Sequence, residues 1–257
     1  MLRALLVSAM TGLVCADLSK LPKLKKGYAR LYLCRHGETD WNAAKKIQGS
    51  VDRELNAFGR RQAAAVGEAL KDVPLSLVAS SPLSRASTTA DAVSLAHPGA
   101  ARVRHAGLRE MDFGDLEGTV PGDVYAETNA AWASGDLDRS WPNGEAPSDV
   151  VERGRDALRA LGLIGQPAGA DPEHAHAAIV CHGRFNKILL SSILGRGVER
   201  CGDIVQGNCC INVVDVRVDA PAGATDAAEE VLLNYVAHLE ALEPAAATSP
   251  TKEPTTA

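Results

Sequence analysis

The chain has 257 residues, 46% hydrophobic and 23% charged, with 27 basic and 32 acidic side chains and a net charge of −5. Enough apolar side chain is present to build a core, which excludes wholesale disorder. The acidic balance argues against a nucleic-acid-coating surface but permits a local basic pocket. No apolar run reaches the ~18 residues of a membrane-spanning helix.

Residues 1–16 (MLRALLVSAMTGLVCA) carry one Arg, then an uncharged stretch from Ala4 to Val14, then Val-Cys-Ala before Asp17. That is the layout of a targeting segment for the secretory pathway or an organelle. The competing reading is an apolar N-terminal strand or helix, with the protein in the cytoplasm. Residues 17–27 follow as a basic linker with Lys20, Lys23, Lys25 and Lys26. The folded domain is expected over 28–243. Residues 244–257 (PAAATSPTKEPTTA) lack apolar periodicity and read as a disordered tail. Cysteines stand at 15, 34, 181, 201, 209 and 210. Cleavage after residue 16 would leave an odd number, a poor disulfide framework. Cys34 and Cys181 sit in strand-like runs and read as small core hydrophobes.

The middle of the chain alternates strand and helix. Tyr28 to Cys34 (YARLYLC) reads as a strand that ends at Arg-His-Gly. Gly59 to Lys71 has helical spacing through Ala63, Val66 and Leu70. Leu75 to Ala79 reads as a second strand, running into a helix with Ser81 as cap and Pro82 as first helical residue, continuing to Ser94. Val103 marks a weaker strand, and Val150 to Leu163 a helix. Ala177 to Cys181 (AAIVC) is the clearest buried strand, followed by His182-Gly183 and a helix from Phe185 to Leu194. Ile211 to Val218 and Val231 to His238 read as late strands joined as a hairpin. The alternation predicts an α/β domain with a mostly parallel sheet flanked by helices. Ligands in such sheets sit beyond the carboxyl ends of the strands, where the residues after Cys34, Ala79 and Cys181 fall.

Two strand ends therefore each deliver a histidine followed by glycine, which permits close backbone approach: His36-Gly37 after Arg35, and His182-Gly183. A single such histidine reads as structural; two delivered the same way point to a site. Ser80-Ser81-Pro82-Leu83-Ser84-Arg85 puts Arg85 near the positive end of a helix dipole, an anion site with a bidentate donor. Glu110 lies in Leu108-Arg109-Glu110-Met111-Asp112-Phe113-Gly114, an acidic residue in a loop after a strand.

Taken together, RHGETDWN (35–42), QG (48–49), LNAFGRRQA (55–63), SSPLSRA (80–86), LREMDFGDLEG (108–118) and VCHG (180–183) resemble the histidine phosphatase superfamily, also called the phosphoglycerate mutase-like family. The resemblance runs from Arg35 to about Gly195. It implies a three-layer α/β fold with His36 as the nucleophile that becomes phosphohistidine. It makes Arg35, Asn42, Arg85 and His182 the phosphate cradle and Glu110 the proton donor and acceptor. The same motifs bring Gly37, Gln48, Gly49 and Gly183 against the substrate. Such a site needs no metal or cofactor, because phosphoryl transfer is mostly positioning and electrostatic stabilisation. The nearby positive charges favour a neutral, nucleophilic His36.

The resemblance covers both hydrolases and mutases, and some relatives are non-catalytic modules that bind a phosphorylated ligand. Mutases follow the acid/base Glu with an Arg and, two residues on, a Tyr that hold the substrate carboxylate; here those positions are Met111 and Phe113. The 72 residues from Glu110 to His182 are also short for the mutase insertion. Hydrolysis of a small phosphorylated metabolite in the broad phosphatase branch is therefore expected. Two departures from that branch are Ala146, where Gly-Glu-Ser is usual, and Lys187, where Arg is common, with Arg184 nearby. Lys187 reads as solvated, and Trp41 as a packing residue.

Overall fold

The computed structural model describes residues 17–221, 223–225 and 227–242. The expected targeting segment and C-terminal tail lie outside the described residues. Six strands form one sheet: β1 (Tyr28–Arg35), β2 (Leu77–Ser80), β3 (Ala101–Arg104), β4 (His176–Cys181), β5 (Ile211–Arg217) and β6 (Ala228–Tyr235). Their order is β3-β2-β4-β1-β5-β6. The first four are mutually parallel, β5 runs antiparallel to β1 beside it, and β6, antiparallel to β5, points the same way as the first four. The sheet is thus mixed through the single reversed strand β5, and the connection from β5 to β6 is too short for a crossover helix and closes a hairpin.

Among the described residues six α-helices accompany it: α1 (Asp40–Ala43), α2 (Ala57–Leu70), α3 (Ser84–Leu95), α4 (Asp123–Ala133), α5 (Pro147–Ala160) and α6 (Gly183–Ile193). Strand periodicity of two sends alternate residues to opposite faces. Leu31, Leu33 and Ile179 pack with Leu158, Phe185 and Leu189 from α5 and α6. Tyr32, Cys34 and Val180 pack with Val66, Leu70 and Val93 from α2 and α3. Covering both faces explains why β1 and β4 read as near-continuous apolar runs. The five described cysteines are free and buried, and burial pushes the Cys34 thiol upward. Among the described residues no helix is long and apolar enough to cross a membrane.

Four helix starts differ from expectation. Helix α2 begins at Ala57 rather than Gly59, because Asn56 caps it, its Oδ1 accepting from Gly59 N at 2.7 Å. The helix after β2 begins at Ser84 rather than Pro82, with Leu83 at the cap position. Asp52 supplies the missing cap from a distant loop, accepting from Ser84 N at 2.8 Å and Ser84 Oγ at 2.7 Å. Ser81 Oγ instead accepts from Leu83 N at 3.2 Å. Helix α5 starts at Pro147, ahead of Val150, because proline suits the first turn and Asp149 accepts from Ala146 N at 2.8 Å. Helix α6 starts at Gly183, directly on the histidine, rather than at Phe185. Helix α4 escaped the sequence reading: its N-cap is Gly122, with no side-chain cap bond, and only Thr128 and Trp132 are buried in it.

The loop after β1 lies flat on the first turn of α2. A Cβ on Gly59 would sit 2.0 Å from Glu38 O, and one on Gly37 would sit 2.4 Å from Gly59 O. Both obstacles are backbone, so neither can swing aside. Gly59→Ala is expected to cost about 2 kcal/mol, in the range of overpacked cores. A lowered urea midpoint at unchanged slope would record it; a variant as stable as the parent would mean the two segments separate freely.

Candidate active site

Strands β1 and β4 are adjacent, with Arg35 opposite Cys181, so the residue that follows each strand lands beside its counterpart. His36 N donates to Cys181 O at 3.0 Å. The His36 and His182 rings lie 5.2 Å apart between centroids. Nδ1 of His36 is 2.7 Å from Gly37 O. A carbonyl only accepts, so Nδ1 carries the proton and Nε2 keeps its lone pair. His36 is 2% exposed. Burial, then the charges of Arg85 and Arg35, hold its pKa well below that of a free histidine.

His182 adopts the opposite tautomer. Arg85 Nε donates to its Nδ1 at 3.3 Å, which leaves the proton on Nε2. That Nε2 is buried with no hydrogen-bond partner among the described residues. Burial and then Arg85 depress its pKa as well. Arg85, in the first turn of α3, is fully buried. It donates to Val51 O at 2.8 Å and to Gly49 O at 2.7 Å. Burial lowers its pKa to about 10, so it remains a cation at neutral pH. Arg35 donates to Gln206 O at 2.7 Å, and its Nε is a second buried donor with no partner among the described residues. Gly183 keeps that side chain close, since a Cβ there would lie 3.2 Å from Arg35 Nε.

These depressed histidine pKa values have a stability consequence. Below about pH 6.5 the unfolded chain protonates both histidines while the folded chain does not. The unfolded state then binds more protons, so stability falls as pH drops through that value. Each group contributes a slope of up to about 1.4 kcal/mol per pH unit. Urea unfolding between pH 7.5 and 5 should show the decline. His36→Ala should flatten it by up to one proton; an unchanged slope would mean that His36 titrates normally in the fold.

Glu110 meets the histidines from the other layer. Its Oε1 accepts from Met111 N at 2.9 Å and Phe185 N at 2.8 Å, and its Oε2 from Arg184 N at 3.1 Å. The carboxylate therefore sits on the N-terminus of α6, where the free N–H groups and helix dipole favour negative charge. A clamp absent from the sequence reading holds its loop. Arg153 of α5 grips Glu145 bidentately at 2.7 and 2.8 Å. It also donates to the carbonyls of Gly107, Arg109 and Glu110 at 2.9, 2.8 and 3.1 Å. Glu145 Oε2 accepts from Asp112 N at 2.9 Å.

A cavity of about 280 Å³ opens at this point, and eight of the ten expected site residues line it. The exceptions are Gly37, whose N donates to Thr89 Oγ1 at 3.1 Å, and the fully buried His182. Asn42 and Gln48 are held on the same loop: Asn42 Oδ1 accepts from Thr39 N at 3.1 Å, and Gln48 Oε1 from Thr39 Oγ1 at 2.9 Å. Asn208, not singled out in the sequence, donates to His36 O at 3.3 Å. Lys187 corrects an expectation: it is half-buried in the cavity lining rather than solvated. It stands four residues after Gly183, on the same face of α6, a spacing that could have revealed it. Phe113 forms an apolar wall, stacked with Tyr125 and Trp141 at 6.5 and 5.2 Å between centroids. Met111 is fully buried beneath Trp141, whose Nε1 lies 3.3 Å from its Sδ. Trp41 packs under Arg53, 4.2 Å from its ring centroid.

Residues 31–224 match the family model of the histidine phosphatase superfamily, branch 1. The chain belongs to that superfamily. It is 35% identical over 189 residues to the probable phosphoglycerate mutase GpmB of Erwinia tasmaniensis, covering 72% of this chain and 84% of the relative. Among solved structures it is similar to a mycobacterial glucosyl-3-phosphoglycerate phosphatase (TM-score 0.66, 26% identity, 81% of this chain and all of the other). It is also similar to the alpha-ribazole phosphatase of Shigella flexneri (TM-score 0.63, 27% identity, 80% and 96%). Fold and family together make this chain an enzyme of the histidine phosphatase type.

Proposed function

We infer that the chain hydrolyses a small phosphate monoester through a phosphohistidine on His36. The observation that carries this reading is the pair of opposite tautomers. His36 has Nδ1 tied to Gly37 O, and His182 has Nδ1 tied to Arg85. One ring thus offers a lone pair and its neighbour a proton. His182 Nε2 and Arg35 Nε, buried donors with no partner among the described residues, are of the kind that the oxygens of a phosphoryl group in flight require.

In the first step His36 Nε2 forms a bond to phosphorus as the ester P–O bond breaks, and the Glu110 carboxylate relays the proton of the monoanionic ester to the leaving oxygen. Water then attacks phosphorus while Glu110 takes its proton, the P–N bond breaks, and inorganic phosphate departs. The proton taken from water leaves with the phosphate, so Glu110 ends the cycle as the carboxylate it began as. Hydrolysis is favoured over transfer between positions of a phosphoglycerate because Met111 and Phe113 are apolar and buried and cannot pair with a carboxylate. The similarity to structures of phosphatases supports the same choice.

Phosphate release from a panel of monoesters, including both phosphoglycerates, tests the reading, with acid-labile phosphate on the protein followed in parallel. Release with a transient phosphoenzyme is the expected result. Interconversion of the phosphoglycerates without release would make the chain a mutase. Tight ligand binding with neither activity would make it a binding module.

A further inference from the structure

Strand β5 holds Asp215, paired with Arg30, and Asn212, which is fully buried and carries no charge to pair. A buried amide is costly unless each donor and acceptor is matched, and Asn212 meets that condition. Its Nδ2 donates to Leu33 O at 2.9 Å, and its Oδ1 accepts from Asn234 N at 3.0 Å. A carbonyl only accepts and an N–H only donates, so the amide has a single orientation. It then makes a reciprocal pair with the buried side chain of Gln206. Nδ2 donates to Gln206 Oε1 at 3.1 Å, and Gln206 Nε2 donates to Oδ1 at 2.8 Å. Asn186 Nδ2 donates to the same Gln206 oxygen at 3.1 Å.

Strand β6 bends to complete this arrangement. Ile211 pairs with Tyr235 but Val213 with Leu232, so β6 carries one extra residue opposite Asn212, a β-bulge. Asn234 in that bulge has a φ of 52°, the left-handed region that a residue with a side chain enters at a cost. Its N–H thereby reaches Asn212, and its Oδ1 accepts from Gly207 N at 2.9 Å. The two strands thus grip the loop 206–210, and that loop holds both residues at the end of β1. Gln206 O accepts from Arg35 Nη1 at 2.7 Å, Cys210 O from Arg35 N at 3.1 Å, and His36 O from Cys209 N at 3.2 Å. A guanidinium is planar, so tethering Nη1 fixes the direction of the Nε–H.

We propose that Asn212 is a positioning residue for Arg35: acting through Gln206, with Asn234 steadying the loop at Gly207, it aims the Arg35 Nε–H at an oxygen of the phosphoryl group in flight. This rests on the hydrolase reading for the reaction and adds Asn212 and Asn234, neither of which lines the cavity. A fully satisfied polar network rigidifies what it holds. Its loss therefore falls on the transition state, in kcat more than in KM.

A double-mutant cycle with Arg35 tests the coupling. Asn212→Leu keeps the volume of the side chain and removes its hydrogen bonds. With Arg35 present it should lower kcat/KM for a phosphate monoester about tenfold, mostly in kcat. In an Arg35→Met background the same change should cost no more than about twofold. Should Asn212→Leu fail to fold, Asn234→Gly takes its place in the cycle. Glycine is at ease at that φ, so the urea midpoint should hold while kcat still falls about fivefold. Equal losses in both backgrounds would make the network structural only and overturn the proposal, as would a loss below about twofold beside Arg35. Calorimetry of orthovanadate, whose trigonal-bipyramidal adducts imitate phosphoryl transfer, gives the same cycle without turnover. It decides the matter if Arg35→Met is too slow to assay, or if no ester is turned over and the hydrolase reading fails. Binding weakened about tenfold only where Arg35 is present would support the positioning role; equal weakening in both backgrounds, or none, would end it.

Discussion

Replacing His36 with alanine is expected to reduce phosphate release by a factor on the order of 10⁴ or more, the scale of losing a covalent nucleophile. The argument turns on which nitrogen is free. His36 Nε2 is the only imidazole nitrogen of the pair that holds a lone pair without a hydrogen bond, because His182 Nδ1 is occupied by Arg85 and His182 Nε2 carries the proton. His182 therefore cannot take over the attack without losing its contact to Arg85. The variant should still fold, since removing one neutral ring beside Arg35 and Arg85 breaks a single local hydrogen bond to Gly37 O. It should still bind inorganic phosphate, because both arginines remain. Acid-labile phosphate should vanish from the protein. Activity within about tenfold of the parent would rule out a phosphohistidine at this position and leave direct attack by water.

The two histidines were legible because each ends an apolar strand, and the backbone alone aligns them: the register of β1 with β4 sets Arg35 against Cys181. Other parts were legible only through a family likeness or not at all. Glu110 lies in an irregular loop, and its position depends on two N–H groups from α6, more than seventy residues away. Arg153 acts mainly on backbone carbonyls, which leave no mark on the identity of the residues that own them. The start of α3 was misplaced for a related reason. Ser81-Pro82 is a good local signal, but a carboxylate from Asp52 caps Ser84 and fixes the first turn there. Local propensity loses wherever a distant side chain satisfies the same N–H groups better. Lys187 was misread because a lysine is solvated by default, whereas here its helix points it into the cavity.

Glu110→Gln separates proton transfer from phosphoryl transfer. An alkoxide leaves poorly without a proton, so for alkyl phosphates the variant should lose about 10²- to 10⁴-fold in kcat/KM. p-Nitrophenyl phosphate has a leaving group that departs unprotonated, and its first step should fall by no more than about tenfold. Water attack on the phosphoenzyme still needs a base, so that intermediate should accumulate. The trace then becomes a burst of about one equivalent of p-nitrophenol followed by slow turnover. The amide keeps an oxygen for the N–H groups of Met111 and Phe185 but turns a donor toward Arg184 N, which has been an acceptor's partner at 3.1 Å. Some loss of positioning is thus built into the substitution, and it weighs equally on every ester. Only the difference between leaving groups reports the proton. Equal losses for both esters, with no burst, would reduce Glu110 to a residue that holds the N-terminus of α6 in place, and the proton would have to come from another group or from solvent.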